Sequence, residues 1–253
     1  MAEHRVTLCS LVPTMLRRLL AFDEPAWTPS PDVRAVLVGG APFSDALREL
    51  AATRGVPTLA TYGCTEACSQ IATQSIQQTG SPGSGAPLPD IELRLQDGEI
   101  QVRGDVLMDG YLGHDRSGAP WTSDGWLRTG DLGSFLADGQ LLVRGRLDDL
   151  IVTGGENVSP QEVEAWLETV PGVVSACVFS LPHDVWGEEV VAAIVIDAAR
   201  YREDVLRDRL VNELATHKRP KRICPLDALP LSRSGKVDRA AVVVQCSGEL
   251  RPI

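Results

Sequence analysis

At 253 residues, 43% of them hydrophobic, the chain is long enough for one large domain or two to three smaller ones with a real core, which argues against a disordered protein. Its 24 basic against 34 acidic residues leave a net charge of -10, which disfavours nucleic acid or an anionic membrane as partner and requires any phosphate contact to be local. Cys9, Cys64, Cys68, Cys177, Cys224 and Cys246 lack the paired spacing of a zinc site and read as reduced, mostly buried thiols. The first residues show no secretory pattern and no apolar run is long enough to span a bilayer, so a reducing cytoplasm is the expected compartment.

In chain order, residues 1–80 alternate short apolar strands with helical patterns and read as an open α/β sheet. Val6 to Leu11 is strand-like, and Pro13 to Ala21 is a helix with proline in its first turn. The apolar run Val33 to Val38 ends at Gly39-Gly40, after which Ser44 caps a helix with Leu47, Leu50 and Ala51 on one face. Val56 to Thr61 repeats the pattern and runs into Tyr62-Gly63. From Thr79 to Pro89, Gly, Pro and Ser mark a linker. Residues 81–147 then form a small β subdomain with hairpins at Asp97-Gly98 and Asp138-Gly139.

Residues 148–253 read as an α+β unit. Ser159-Pro160-Gln161-Glu162 is a capping box, followed by Val163, Trp166, Leu167 and Val170 at helical spacing. Strands Val173 to Leu181 and Glu189 to Ile196 precede a helix from about Glu203 to Leu214, with Leu206, Leu210, Val211 and Leu214 on its buried side. The cationic run from His217 to Arg222 reads as a solvated face or, alternatively, as a contact for a phosphate-bearing ligand.

Three runs carry nucleotide-directed chemistry. An Asp in a glycine turn, as at Asp131, can accept the two hydroxyls of a ribose; an Arg such as Arg146 can neutralise a phosphate; and a Lys on a flexible glycine loop, as at Lys236 after Ser234-Gly235, can reach the oxyanions of a transition state. No Gly-rich Ser/Thr/Lys phosphate loop of the kind that holds a triphosphate is present, so the chain reads as part of a catalyst.

Taken in order, Val38-Gly39-Gly40-Ala41-Pro42, Tyr62-Gly63-Cys64-Thr65-Glu66, Thr129-Gly130-Asp131, Gly145-Arg146-Leu147-Asp148-Asp149 and Leu231-Ser232-Arg233-Ser234-Gly235-Lys236 resemble the later core motifs of the acyl-CoA synthetase and adenylation-domain superfamily. Ser10 to Leu16 and Tyr62 to Gln70 look most like the o-succinylbenzoate-CoA ligase branch of menaquinone biosynthesis. The resemblance implies a fold of α/β plus α+β class: a partial open sheet, a small β subdomain and a mobile C-terminal lid. It implies an AMP-forming acid-CoA ligase that consumes ATP and CoA with a small carboxylic acid and uses Mg2+.

In that reading Gly39, Gly40, Ala41 and Pro42 form a backbone edge against adenine and Tyr62 stacks on it. Gly63 belongs to the same nucleotide motif, Thr65 donates to the α-phosphate, and Glu66 holds the Mg2+. Asp131 binds the ribose hydroxyls, Arg146 contacts ribose or phosphate, and Lys236 stabilises charge as carboxylate attacks the α-phosphate. Ser69 and Gln70 face the acyl group. Asp148 is the hinge of the lid, and Gly154, Gly155 and Glu156 line a tunnel for the phosphopantetheine arm of CoA.

Family members carry a large region before the position of Met1. The resemblance therefore leads us to expect little ligase activity from this chain alone, uncovered apolar surface on the Val33 to Thr61 strands and a tendency to self-associate. A fatty or aryl acid-CoA ligase fragment, a half of a split ligase with a separate N-terminal polypeptide, and a non-catalytic nucleotide-binding or interaction module are the alternatives.

Overall fold

The computed structural model describes residues 4–21, 27–113 and 119–253, which fall into two compact units, Met1–Leu147 and Asp148–Ile253. In the first unit β1 (Leu8–Leu11), β2 (Ala35–Val38) and β3 (Thr58–Tyr62) lie parallel, connected through α1 (Pro13–Leu20) and α2 (Asp45–Thr53). Leu16 and Leu20 of α1 and Leu47 and Ala51 of α2 pack with Val36 and Val38 of β2 into one apolar cluster. The expectation of uncovered strands is corrected: β2 is paired on both edges, and β3 continues through β4 (Ala72–Thr73) into β5 (Ala86–Pro87). Val36, Val38 and Ala60 are buried, while Leu8 on the edge strand is 55% exposed. Leu50 is likewise not an inward residue of α2. Arg48 is buried instead, because its guanidinium finds three carbonyls, Phe43 at 3.1 Å, Ser81 at 2.9 Å and Pro82 at 3.2 Å.

A second, antiparallel sheet follows in the order β6 (Ile91–Gln96), β7 (Glu99–Gly104), β8 (Leu127–Phe135), β9 (Leu141–Arg146). The β6–β7 turn places Asp97 at φ 53° and Gly98 at φ 82°, the paired left-handed residues that a two-residue hairpin requires. Ile71, Ile100, Val102, Leu127 and Leu141 form its core. The Thr79 to Pro89 segment is not a loose linker. Gln74 donates to the carbonyls of Ser81 and Gly83 at 2.9 and 2.8 Å, and the backbones of Ser84 and Gly85 bond to Leu141 at 2.6 and 2.8 Å. These bonds lock the segment to both sheets.

The second unit contains β10 (Ile151–Thr153), β11 (Glu156–Val158), α3 (Pro160–Leu167), β12 (Val173–His183), β13 (Gly187–Ile196), α4 (Glu203–Glu213), β14 (Arg222–Leu226), α5 (Arg239–Cys246) and β15 (Arg251–Pro252). β13 is central, antiparallel to β12 and parallel to β14, and the β10–β11 hairpin meets it at Gly187. Alternation along the strands feeds two cores. Val178, Ala192 and Ile194 join the cluster that includes Val163, Leu167, Leu206 and Leu210, whereas Cys177, Phe179, Val191 and Ala193 join Val242 and Cys246 of α5. Strands buried on both faces read as continuous apolar runs, which is why β12 and β13 stood out in the sequence.

Val211 departs from expectation at 61% exposed. Leu206, Leu210 and Leu214 already make the i, i+4, i+8 stripe, and Val211 is turned about 100° away from it. Only half of the capping box forms: Ser159 accepts from the Glu162 N–H at 3.5 Å, while the Glu162 carboxylate pairs with Lys218 at 2.5 Å. The cationic run is committed within its own unit. Besides Lys218, Arg219 donates to the Leu214 and Val211 carbonyls, Lys221 to Thr216, and Arg222 pairs with Glu189.

Candidate nucleotide site

Because β1, β2 and β3 are parallel, the segments following β2 and β3 leave the same end of the sheet, where open α/β sheets bind ligands. Gly39 to Pro42 follow β2, and Tyr62 ends β3. A Cβ at Gly39 would lie 2.6 Å from Thr61 Cγ2, and one at Gly63 only 1.6 Å from the Ser69 carbonyl oxygen. Both glycines thus permit close backbone packing around Thr61 and Ser69. Thr65, exposed, opens a short 3-10 turn through Glu66, which ends at Cys68 and Ser69 with φ of 54° and 125°. Side chains rarely adopt such backbone, so this loop stores strain. Gln70 donates from Nε2 to Thr61 Oγ1 at 3.1 Å and is tied to β3.

Thr129-Gly130-Asp131 is not a turn, as its composition suggested, but part of β8. Gly130 takes φ 71° within an irregular stretch of the ladder, and Asp131 sits opposite Arg146 of β9. The pairing brings three predicted residues into contact. Asp131 accepts on Oδ1 from Arg146 Nη1 at 2.9 Å and on Oδ2 from the Tyr62 hydroxyl at 2.7 Å. Burial raises the Asp131 pKa, against the opposing pull of Tyr62 and Arg146. Burial, reinforced by the Asp131 charge, raises that of Tyr62, which therefore remains a donor at neutral pH. Tyr62 is only 8% exposed and belongs to the buried cluster that holds Ile71, Ile100 and Leu127.

Glu66 is half-buried, and its Oε1 accepts from the Tyr111 hydroxyl at 2.7 Å. That bond, aided by the Arg146 charge, holds the Glu66 carboxyl below its ordinary range. The Met108 N–H also reaches the Glu66 carbonyl at 2.8 Å, fixing the loop after β7 onto this turn. Tyr111 escaped the sequence reading because a tyrosine after Asp109-Gly110 carries no spacing signal. Among the described residues no group of three or more His, Cys, Asp or Glu forms a metal cage. A single carboxylate with one oxygen engaged suits a magnesium ion whose remaining ligands are phosphate oxygens and water.

The second unit holds the other predicted residues. Lys236 is exposed on a tight loop closed by Ser232 N–H to the Lys236 carbonyl at 2.7 Å and Gly235 N–H to the Ser232 carbonyl at 2.9 Å. Just beyond it Asp238 caps α5, and Arg239 bonds Glu164 at 2.7 Å and the Val178 carbonyl. Gly154 and Gly155 form the β10–β11 turn at φ 58° and 86°, and a Cβ at Gly155 would meet nothing within 4 Å. The turn conformation by itself calls for glycine at both positions. Glu156 begins β11 opposite Thr153 and is exposed. Asp148 is the first residue of the second unit.

A family model described as AMP-binding enzyme matches residues 1–112, and one described as AMP-binding enzyme C-terminal domain matches residues 162–236. The chain belongs to the AMP-binding enzyme family. This family member is 39% identical over 251 residues to a 2-succinylbenzoate–CoA ligase of Bacillus pumilus, covering 94% of this chain and 50% of the relative. It is 31% identical to a long-chain-fatty-acid–CoA ligase of Mycobacterium tuberculosis, over 97% of this chain and 51% of that protein. The chain spans about half the length of the curated relatives it matches.

Among solved structures, o-succinylbenzoate CoA synthetase from Bacillus subtilis, in complex with the acyl-adenylate intermediate OSB-AMP, matches with a TM-score of 0.80 at 34% identity, over 95% of this chain and 51% of that one. The same synthetase in complex with ATP and a magnesium ion matches with a TM-score of 0.78 at 34% identity, over 94% of this chain and 52% of that one. The α/β plus α+β class expected from the motifs is thus the fold of this family member. No helix among its described residues is long and apolar enough to cross a membrane.

Proposed function

We propose that this AMP-binding enzyme takes part in the ATP-dependent, AMP-forming ligation of a carboxylic acid to CoA, with o-succinylbenzoate as the acid. The observation that carries the reading is the Tyr62–Asp131–Arg146 cluster beside Glu66, a set of acceptors and a cation suited to ribose and phosphate, in a chain of this family. Gly39 to Pro42 and Tyr62 border the adenine, Asp131 accepts the ribose hydroxyls, and Arg146 and Thr65 face phosphate. A magnesium ion at Glu66 would supply charge neutralisation for the phosphates. Lys236 is the electrostatic group for attack of the carboxylate on the α-phosphate, and Ser69 and Gln70 face the acyl chain.

Asp148 is assigned as hinge, supported by the unit boundary that falls beside it, and Gly154, Gly155 and Glu156 as the contact for CoA. Within the first unit we assign residues 1–80 to the α/β subdomain and 81–147 to the β subdomain. Use of ATP and CoA, together with free thiols at all six cysteines, favours a cytoplasmic location. A separate polypeptide supplying the remaining length of the relatives, and a homo-oligomer, are partner proposals that follow from the half-length match.

The fatty-acid-CoA ligase reading is kept because the Mycobacterium tuberculosis relative aligns over nearly the whole chain. Calorimetric titration with the acyl-sulfamoyl-adenosine analogues of o-succinylbenzoate and of a long-chain fatty acid separates the two. Tighter binding of the o-succinylbenzoate analogue than of AMP is expected. Preference for the fatty-acyl analogue would transfer the assignment to the second reading, and failure to bind either would remove both.

A further inference from the structure

We propose that Tyr62 is a positioning residue that acts through its hydroxyl on Asp131, setting the carboxylate to receive the paired hydroxyls of a ribose. The inference rests on the nucleotide reading above and gives Tyr62 a role that its ring does not supply. Tyr62 is 8% exposed and belongs to one buried cluster with Ile71, Ile100 and Leu127, so its ring is held in place. Its hydroxyl, by contrast, reaches across from the first sheet to the second and donates to Asp131 Oδ2 at 2.7 Å.

Arg146 donates to the other oxygen at 2.9 Å. An ionised carboxylate offers about four lone-pair sites, so one donor on each oxygen leaves one site on each. Two acceptors on one planar group, held at a fixed torsion, match the two donors of a cis-diol. Arg146 alone is a weaker constraint, since its side chain is 43% exposed while that of Asp131 is 13% exposed. Tyr62 is a strand-end residue locked in a core, and it is the more rigid of the two donors.

The test is calorimetric titration of the native chain and Tyr62→Phe with AMP and with 2′,3′-dideoxy-AMP, accompanied by carbon-13 NMR pH titration of the Asp131 carboxyl without ligand. Tyr62→Phe keeps the packed ring and removes only the hydroxyl. It is expected to weaken AMP binding about tenfold, the worth of one hydrogen bond to a charged group, and to leave the dideoxy analogue unchanged. It should also raise the Asp131 pKa, because the Tyr62 bond works to lower it.

Equal AMP affinity in both proteins, an equal loss for both nucleotides, or an unmoved Asp131 titration would each overturn the inference while leaving the nucleotide reading in place. A native chain that binds neither nucleotide would overturn the nucleotide reading, and the inference with it.

Discussion

Asp131 is a largely buried carboxylate, its side chain 13% exposed, retained against its own solvation. Its folded pKa is raised by burial, so the stability it contributes is fully present below its ordinary value of 3.8 and is lost as pH rises through the folded value. At neutral pH the charged form is a cost that Tyr62 and Arg146 only partly offset. Asp131→Asn should therefore leave the melting temperature at pH 7 no lower than native and flatten its change between acid and neutral pH, while AMP affinity falls about tenfold or more. A clear drop in melting temperature at pH 7 would show that the ion pair with Arg146 outweighs desolvation. Tyr111→Phe makes the converse case, since the Tyr111 bond is the largest influence holding the Glu66 pKa down. Carbon-13 NMR titration of Glu66 in that variant should show a higher pKa. Asp131, Arg146 and Glu66 were readable because each sits in a short motif with fixed neighbours. Tyr111 and the Tyr62–Asp131 bond were not, because contacts between residues 45 and 69 positions apart leave no local pattern.

Glycines in the loops and turns separate two physical demands. At Gly63 a Cβ would penetrate to 1.6 Å from the Ser69 carbonyl oxygen, and the atoms it meets are backbone, which must shift to admit it. At Gly155 the surroundings are open and only φ 86° disfavours a side chain. Gly155→Ala should lower the stability of its unit by about 1–2 kcal/mol, the ordinary cost of a left-handed alanine. Gly63→Ala should cost more than that, about 3 kcal/mol, and disorder the Thr65 to Gln70 loop, as thermal denaturation and hydrogen exchange would report. Similar losses at the two positions would contradict the distinction. The hairpins were evident from Asp97-Gly98 and Asp138-Gly139, where Asp97, Gly98 and Gly139 take the positive φ that these residue types favour. The helix α5 was not, because Val242, Val243 and Val244 give it a strand-like composition that packing on β12 overrides. The Thr129-Gly130-Asp131 run misled for the opposite reason. Its glycine serves an irregularity inside a strand, and turn-like composition does not distinguish the two.

Each of the two units has its own buried clusters, with Leu16, Val36 and Leu47 or Ile100, Leu127 and Leu141 in one and Val163, Ile194 and Leu206 in the other. A unit with a closed core can fold alone. Residues 148–253 expressed separately should melt cooperatively with native-like secondary structure by circular dichroism, and a non-cooperative melt would contradict that. We propose that the first unit, in a chain that spans about half the length of its relatives, holds an adenylate site organised by Asp131. Calorimetric titration with AMP of the native chain beside Asp131→Ala tests it most directly. The account predicts binding by the native chain that weakens about ten- to hundredfold in the variant; a folded native chain that binds no AMP, or binds it equally well without Asp131, would contradict it.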